Sequence, residues 1–322
     1  MPTSDAIAFL FPGQGSQFAG MGQELAAKYS IARQTFEEAD AALGFPLSQL
    51  CFTGPEDQLK LTENTQPAIL TVSVAALRVL REMGYGCRFA AGHSLGEYSA
   101  HVAAGTLSFA DGVRTVRNRG RYMQEAVPAG KGAMAAIINL PPDVVAEVCQ
   151  EAAAGEVVQP ANINSAEQIV ISGHQGAVER AAGLAKQRGA KRAILLPVSA
   201  PFHCPLMQPA QDRLAADLHA LTFHKPAFPV INNVDAEPVT TAEAARESLI
   251  RQVTGAVLWE RSMRIAIAAG IQYFVEIGPG EVLSGLMRRM DRTRTCCSVQ
   301  DEASLQKLAG QFEPAIAESV AT

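Results

Sequence analysis

The chain has 322 residues, 48% of them hydrophobic and 18% charged, with a formal net charge of −5. That composition is globular rather than disordered, and the length suffices for a sizeable core and two structural units. A net negative chain has no general attraction to nucleic acid or to an anionic membrane, so neither is expected as a partner.

The opening apolar run, Ala6 to Phe11, has the length of a strand. It is too short for a signal peptide or a membrane span, and the expected location is cytoplasmic. Cys51, Cys87, Cys149, Cys204, Cys296 and Cys297 show no Cys-X-X-Cys spacing and read as free thiols. The histidines form no ligand cluster, so no metal is expected.

In chain order, Ile7 to Phe11 reads as a strand and runs into the turn Pro12-Gly13-Gln14-Gly15-Ser16-Gln17. A helix pattern carrying Leu25, Tyr29 and Phe36 follows Gly20-Met21-Gly22. Strand, glycine turn and helix are how a dinucleotide site begins. The third glycine of that fingerprint would fall at Phe18, however, and no acidic residue is placed to hold a ribose. The turn reads instead as one that presents backbone N–H groups to a site. Thr62 to Met83 reads as a helix, capped by Asn64 or Thr65, with Pro67 in its first turn.

Gly92-His93-Ser94-Leu95-Gly96 comes next, between the short run Cys87 to Ala91 and a helix-like stretch rich in small residues. A serine on a tight strand-to-helix turn exposes its hydroxyl, and the glycines permit the strained backbone. The helix start aims free N–H groups at the place where an oxyanion would form. Ser108 then caps a helix on which Phe109, Val113, Val116, Gly120, Met123 and Val127 make one apolar stripe. Arg114 and Arg121 fall on its far side. Arg117 and Arg119 lie at the two edges, and the spacing does not choose between them.

From 130 to 198 the pattern changes. Strands are predicted at 133–140, 157–162, 168–172 and 192–198, with helices at 142–154 and 177–188. That is the βαββαβ order of a ferredoxin-like unit, which can act as lid and cleft wall when inserted in a larger α/β unit. A stiff loop follows, Pro201-Phe202-His203-Cys204-Pro205. His203 is the most constrained histidine of the chain, whereas His101, His219 and His224 are assigned to helix or loop surfaces. The alternation then resumes with a strand at 230–231, helices at 242–253 and 259–269, and a strand at 273–277. After the turn Gly278-Pro279-Gly280 come a helix at 282–290 and a strand at 296–299. Trp259 reads as a packing anchor.

A serine elbow needs a base, and His203 is the best placed. The Leu95 N–H and the turn at Gln14 could supply two oxyanion donors. The α/β-hydrolase order Ser, acid, His places its histidine late, but no histidine lies beyond His224 here, which disfavours an esterase or lipase.

The motifs Phe11-Pro12-Gly13-Gln14-Gly15-Ser16-Gln17, Thr65-Gln66-Pro67-Ala68, Gly92-His93-Ser94-Leu95-Gly96-Glu97, Arg119-Gly120 with Met123-Gln124, Pro201-Phe202-His203, Asn232-Asn233-Val234 and Ile277-Gly278-Pro279-Gly280 recur in this order in one family. In them the chain resembles the malonyl-CoA:acyl carrier protein transacylases and the related acyltransferase domains of polyketide synthases, from about Ala6 to Asp301. The resemblance implies an α/β fold: a large α/β-hydrolase-like catalytic domain over 1–128 and 199–322, with the ferredoxin-like (βαββαβ) subdomain inserted at 129–198. It implies a Ser94–His203 dyad, a malonyl-serine ester, ping-pong transfer to the carrier thiol, and an oxyanion hole of the Gln14 and Leu95 N–H groups. It further implies that the Gln252 backbone carbonyl orients His203 and that Arg119 grips the malonyl carboxylate. Gln66, Asn162 and Phe202 are expected to line the pocket, and Leu95 and Phe202 match malonyl-selective relatives.

The implied partners are malonyl-CoA and acyl carrier protein, without a cofactor or metal, and the expected state is a monomer. Family members often carry Asn-Pro-Val-X-Trp where this chain has Gly255-Ala256-Val257-Leu258-Trp259, so a softer loop is expected after Gln252. An acidic carrier calls for a local basic patch, either Lys186, Arg188, Lys191 and Arg192 or Arg288, Arg289, Arg292 and Arg294. The alternatives are a polyketide-type trans-acting acyltransferase, a serine thioesterase or hydrolase, and a non-catalytic carrier-binding module.

Overall fold

A computed structural model describes residues 4–198 and 200–311. The chain begins with β1 (Ile7–Phe11), α1 (Gln23–Lys28), α2 (Ser30–Leu43), α3 (Leu47–Thr53), the single turn α4 (Glu56–Leu59) and α5 (Thr62–Glu82). Then come β2 (Phe89–Gly92), α6 (Gly96–Ala103) and α7 (Phe109–Ala126). A second group follows: β3 (Gly132–Ile138), α8 (Pro142–Ala153), β4 (Val158–Ser165), β5 (Gln168–His174), α9 (Gln175–Gln187) and β6 (Arg192–Leu195). The remaining described residues carry α10 (Gln208–Ala220), β7 (Val230–Ile231), β8 (Pro238–Val239), α11 (Ala242–Arg251), α12 (Trp259–Ala268), β9 (Tyr273–Ile277), α13 (Val282–Met290), β10 (Thr295–Val299) and α14 (Glu302–Gln311).

The described residues form an α/β fold with two sheets. One is a mixed six-stranded sheet in the order β10-β9-β1-β2-β7-β8; the other has four strands in the order β4-β5-β3-β6. In the larger sheet every pairing is parallel except β7 with β8. Parallel strands are covered on both faces, so their sequence reads as an unbroken apolar run. Ile-Ala-Phe-Leu-Phe of β1 is buried throughout. Alternate residues serve different cores: Ile7, Phe9 and Phe11 join α5 on one face, and Ala8 and Leu10 join Trp259 and Phe274 on the other. Trp259 is fully buried, the anchor its sequence context predicts.

The four-stranded sheet is antiparallel. Ala135, Ile137, Ile169 and Ile171 pack under α8 and α9. The alternate residues Met134, Ala136 and Val170 face the other way, toward Leu196, Val198 and Phe202. That second face becomes a wall of the cavity described below.

Locally the structure departs from the sequence pattern at several points. The helix pattern over Leu25 to Phe36 breaks at Tyr29, whose backbone is extended between α1 and α2. Helix α5 has Leu61, not Asn64 or Thr65, at its N-cap. Asn64 and Thr65 lie inside it and donate side-chain hydrogen bonds to the carbonyls of Gln58 and Leu59. Pro67 is likewise inside α5, beyond the first turn. Strand β6 stops at Leu195, three residues short of its predicted end. His101 is fully buried on α6, not on a surface, because α6 is wrapped by the sheet and its neighbouring helices. Among the described residues, no helix is long and apolar enough to cross a membrane.

Candidate active site

The centre is the turn between β2 and α6. Ser94 has a φ of 53°, a conformation that is strained for a residue with a side chain. The flanking glycines are dictated by space. A Cβ on Gly96 would stand 2.1 Å from the Phe11 carbonyl oxygen, and one on Gly92 would stand 1.9 Å from Gly96. Asn233 holds the strained turn from behind: it accepts from the Ser94 N–H at 2.7 Å and donates to the Gly92 carbonyl at 2.7 Å.

His203, on the loop before α10, also has a positive φ, 60°. Its Nε2 lies 2.7 Å from Ser94 Oγ. Its Nδ1 faces two carbonyl oxygens, Gln252 at 2.9 Å and Gly255 at 3.1 Å. Carbonyls only accept, so Nδ1 carries the proton and Nε2 presents a lone pair to the serine hydroxyl. Burial first, and then the positive charge of Arg119, push the imidazole down to about 3, leaving it neutral near pH 7.

Arg119 resolves the choice that helical spacing left open. It is 2% exposed and reaches the serine, whereas Arg117 stacks over the Phe45 ring at 4.1 Å. Arg119 Nη2 donates to Ser94 Oγ at 3.1 Å and to Gln252 Oε1 at 2.9 Å, and Nη1 donates to Gln66 Oε1 at 2.8 Å. Its Nε has no partner among the described residues. Burial lowers the pKa of this guanidinium, partly offset by Tyr98 and Glu97. An arginine has ample margin to remain a cation.

Ser94, His203 and Arg119 share a cavity of about 120 Å³ with Gln14, Gln66, His93, Leu95, Met123, Met134, Asn162, Leu196, Val198 and Phe202. Every predicted site residue except Gln252 lines it, and Gln252 lies just behind, bonded to His203 and Arg119. The backbone N–H groups of Gln14 and Leu95 have no hydrogen-bond partner among the described residues. Gln14, His93, Asn162 and Leu196 also line a neighbouring, larger cavity of about 450 Å³, which Arg289 lines as well. Of the two predicted basic clusters, Arg289 is the member that reaches this space. Arg188, Arg288 and Arg294 are paired with acidic neighbours.

The loop after Gln252 is firmer than its sequence suggests. The Val257 N–H donates to Ala161, the Ile163 N–H to Val257 and the Leu258 N–H to Asn233, each at 2.8 or 2.9 Å. Strand β4 thus secures the segment that aims His203. His93 Nε2, 2.8 Å from Asn164 Oδ1, ties β4 also to the turn after β2. Sequence reasoning assigned no role to Glu97, Asn233, His93 or Asn164. Glu97, His93 and Asn233 stand in the family motifs, but nothing in one dimension says what each of them meets. Among the described residues, no cluster of His, Cys, Asp or Glu is placed to hold a metal ion.

A neutral imidazole on a serine hydroxyl, two N–H donors without a partner among the described residues and a buried cation together suit acyl transfer of a group with an anionic end. Comparison with known proteins agrees with that chemistry. The family model of the acyl transferase domain matches residues 8–320. The malonyl CoA-acyl carrier protein transacylase of Escherichia coli (strain K12) is 50% identical over 300 residues, 93% of this chain and 97% of that one. The solved structure of the Coxiella burnetii malonyl CoA-acyl carrier protein transacylase superposes with a TM-score of 0.93 at 45% identity, covering 96% of this chain and 98% of the other. A malonyl-transacylase solved in complex with its type II PKS acyl-carrier protein superposes equally well, with a TM-score of 0.93 at 46% identity over 95% of this chain and 99% of that one. The chain belongs to the acyl transferase family, among the malonyl CoA-acyl carrier protein transacylases.

Proposed function

We propose that this chain moves the malonyl group of malonyl-CoA to the phosphopantetheine thiol of acyl carrier protein, by way of an ester on Ser94. The observation that carries the reading is the position of Ser94 Oγ, held between His203 Nε2 at 2.7 Å and Arg119 Nη2 at 3.1 Å in a cavity that all three residues line. His203 takes the hydroxyl proton as Oγ attacks the thioester carbonyl. The Gln14 and Leu95 N–H groups receive the oxyanion. Collapse breaks the C–S bond, and His203 returns the proton to the departing coenzyme A thiolate. In the second half the carrier thiol gives its proton to His203 and attacks the ester, and Ser94 leaves with that proton.

Arg119 pairs with the free malonyl carboxylate. That pairing also neutralises the charge that helps to depress His203, so the base strengthens when the correct acyl group is in place. The carbonyls of Gln252 and Gly255 take the place that a carboxylate fills in a serine triad. The reading includes a large α/β-hydrolase-like domain, residues 1–128 and 199–322, and an inserted ferredoxin-like subdomain, 129–198. The strand order β4-β5-β3-β6 supports the latter. No cofactor beyond the coenzyme A thioester is invoked, and the cytoplasm is the location that suits the substrates.

Intact mass after incubation with malonyl-CoA tests the proposal. A malonyl adduct is expected on the wild-type chain and not on Ser94→Ala. Rapid release of malonate without an adduct would favour a thioesterase instead.

A further inference from the structure

Glu97 takes no part in these steps, yet it is fully buried on the first turn of α6, three residues after Ser94. A carboxyl group there is costly unless its oxygens are put to use. Oε2 accepts from Gln252 Nε2 at 2.7 Å and from the Asn233 N–H at 3.0 Å. Oε1 has no partner among the described residues and lies 4.0 Å from Nε2 of the equally buried His101.

Both groups that Glu97 holds touch the reacting centre. Asn233 brackets the elbow through Ser94 and Gly92. Gln252 donates from Nε2 to the Ser94 carbonyl at 2.9 Å, offers Oε1 to Arg119 and gives its backbone carbonyl to His203. A carboxylate can only accept, so Glu97 joins the Ser94 carbonyl in fixing which way the Gln252 amide faces: the NH₂ toward Glu97 and the carbonyl toward Arg119. A reversed amide would turn a donor on the guanidinium. Burial raises the Glu97 carboxyl to about 7, and a proton there has the unpartnered Oε1 to occupy, so Oε2 remains an acceptor in either state.

Resting on the transacylase reading, we infer that Glu97 is a positioning residue for acyl selection, which fixes the Gln252 amide and through it holds Arg119 beside Ser94. The test is the ratio of malonyl to acetyl loading rates, followed by intact mass in wild type, Glu97→Leu, Glu97→Gln, Arg119→Ala and the Glu97→Leu/Arg119→Ala pair. Glu97→Leu is expected to lower the ratio about tenfold, the share of one charge-assisted hydrogen bond. Glu97→Gln, which keeps an acceptor oxygen, should preserve the ratio. In the Arg119→Ala background, Glu97→Leu should change it no further, because the group it positions is gone.

An unchanged ratio in Glu97→Leu, an equal loss for both acyl groups, or loss of the ratio in Glu97→Gln as well would overturn the inference. Should Glu97→Leu fail to fold, Glu97→Met, which keeps the length of the side chain without a carboxylate acceptor, is read the same way. Wild type that forms no malonyl ester would overturn the transacylase reading and this inference together, whereas a wild type that loads beside an indifferent Glu97→Leu overturns the inference alone.

Discussion

Replacing Arg119 by alanine separates recognition of the acyl tail from the chemistry at Ser94. The wild-type guanidinium is 2% exposed, so a carboxylate bound to it is shielded from competing water. A hydrogen bond to a charged group contributes about 1.5–3 kcal/mol, and each 1.4 kcal/mol is about tenfold in rate or affinity. Arg119→Ala should therefore lower the malonyl-to-acetyl ratio of loading rates by about ten- to a hundredfold. Both absolute rates should fall as well, since Arg119 also donates to Ser94 Oγ and anchors Gln66 and Gln252. The ratio is the informative quantity because these shared effects cancel in it. Single-turnover loading from malonyl-CoA and acetyl-CoA, quenched in acid and read by intact mass, gives both rates. Equal loss for the two acyl groups would refute a carboxylate-binding role.

Two further outcomes follow from the buried histidines. The His203 imidazole is held at about 3, so its ring resonances in NMR should not titrate between pH 5 and 8 in the free enzyme; a midpoint near the ordinary histidine value would contradict its assignment as a neutral base. His101, also depressed to about 3 by burial, stays neutral in the fold while the unfolded chain takes up its proton below about 6.5. Its contribution is thus intact above the unfolded pKa and is lost as the pH falls toward 3. His101→Leu should flatten the decline in denaturation free energy by about 1.4 kcal/mol per pH unit in that window, and an unchanged slope would argue against a buried neutral His101.

Much of the site was legible because its chemistry is concentrated in short motifs. Gly92-His93-Ser94-Leu95-Gly96 announces an elbow, since the space at Gly92 and the strain at Ser94 are local demands, whereas the space at Gly96 is set by the distant Phe11 carbonyl. His203 was legible through the prolines on either side of it. The parallel strand β1 and the βαββαβ element order were visible in apolar runs and alternation. Arg119 was a different case: helical geometry placed it level with Arg117, the family resemblance singled it out, and the tertiary fold supplies the physical reason, with one edge of α7 facing Ser94 and the other Phe45. Burial of His101 was invisible for a related reason, since a polar residue among small ones reads as surface until the packing partners of α6 are known. The firmness of the 255–258 loop comes from β4, nearly a hundred residues earlier in the chain, and composition at the loop itself carries no trace of it. The bridge from Glu97 through Gln252 to Arg119 likewise joins three distant segments.

The central claim is that Ser94 carries the malonyl group between two thiols. Wild-type protein loaded with malonyl-CoA and freed of coenzyme A by rapid gel filtration can be mixed with carrier protein bearing phosphopantetheine, and both chains weighed over time. Loss of the malonyl adduct from Ser94, matched by its gain on the carrier and with little free malonate, is the predicted result. Release of malonate to water while the carrier stays unmodified would contradict the account.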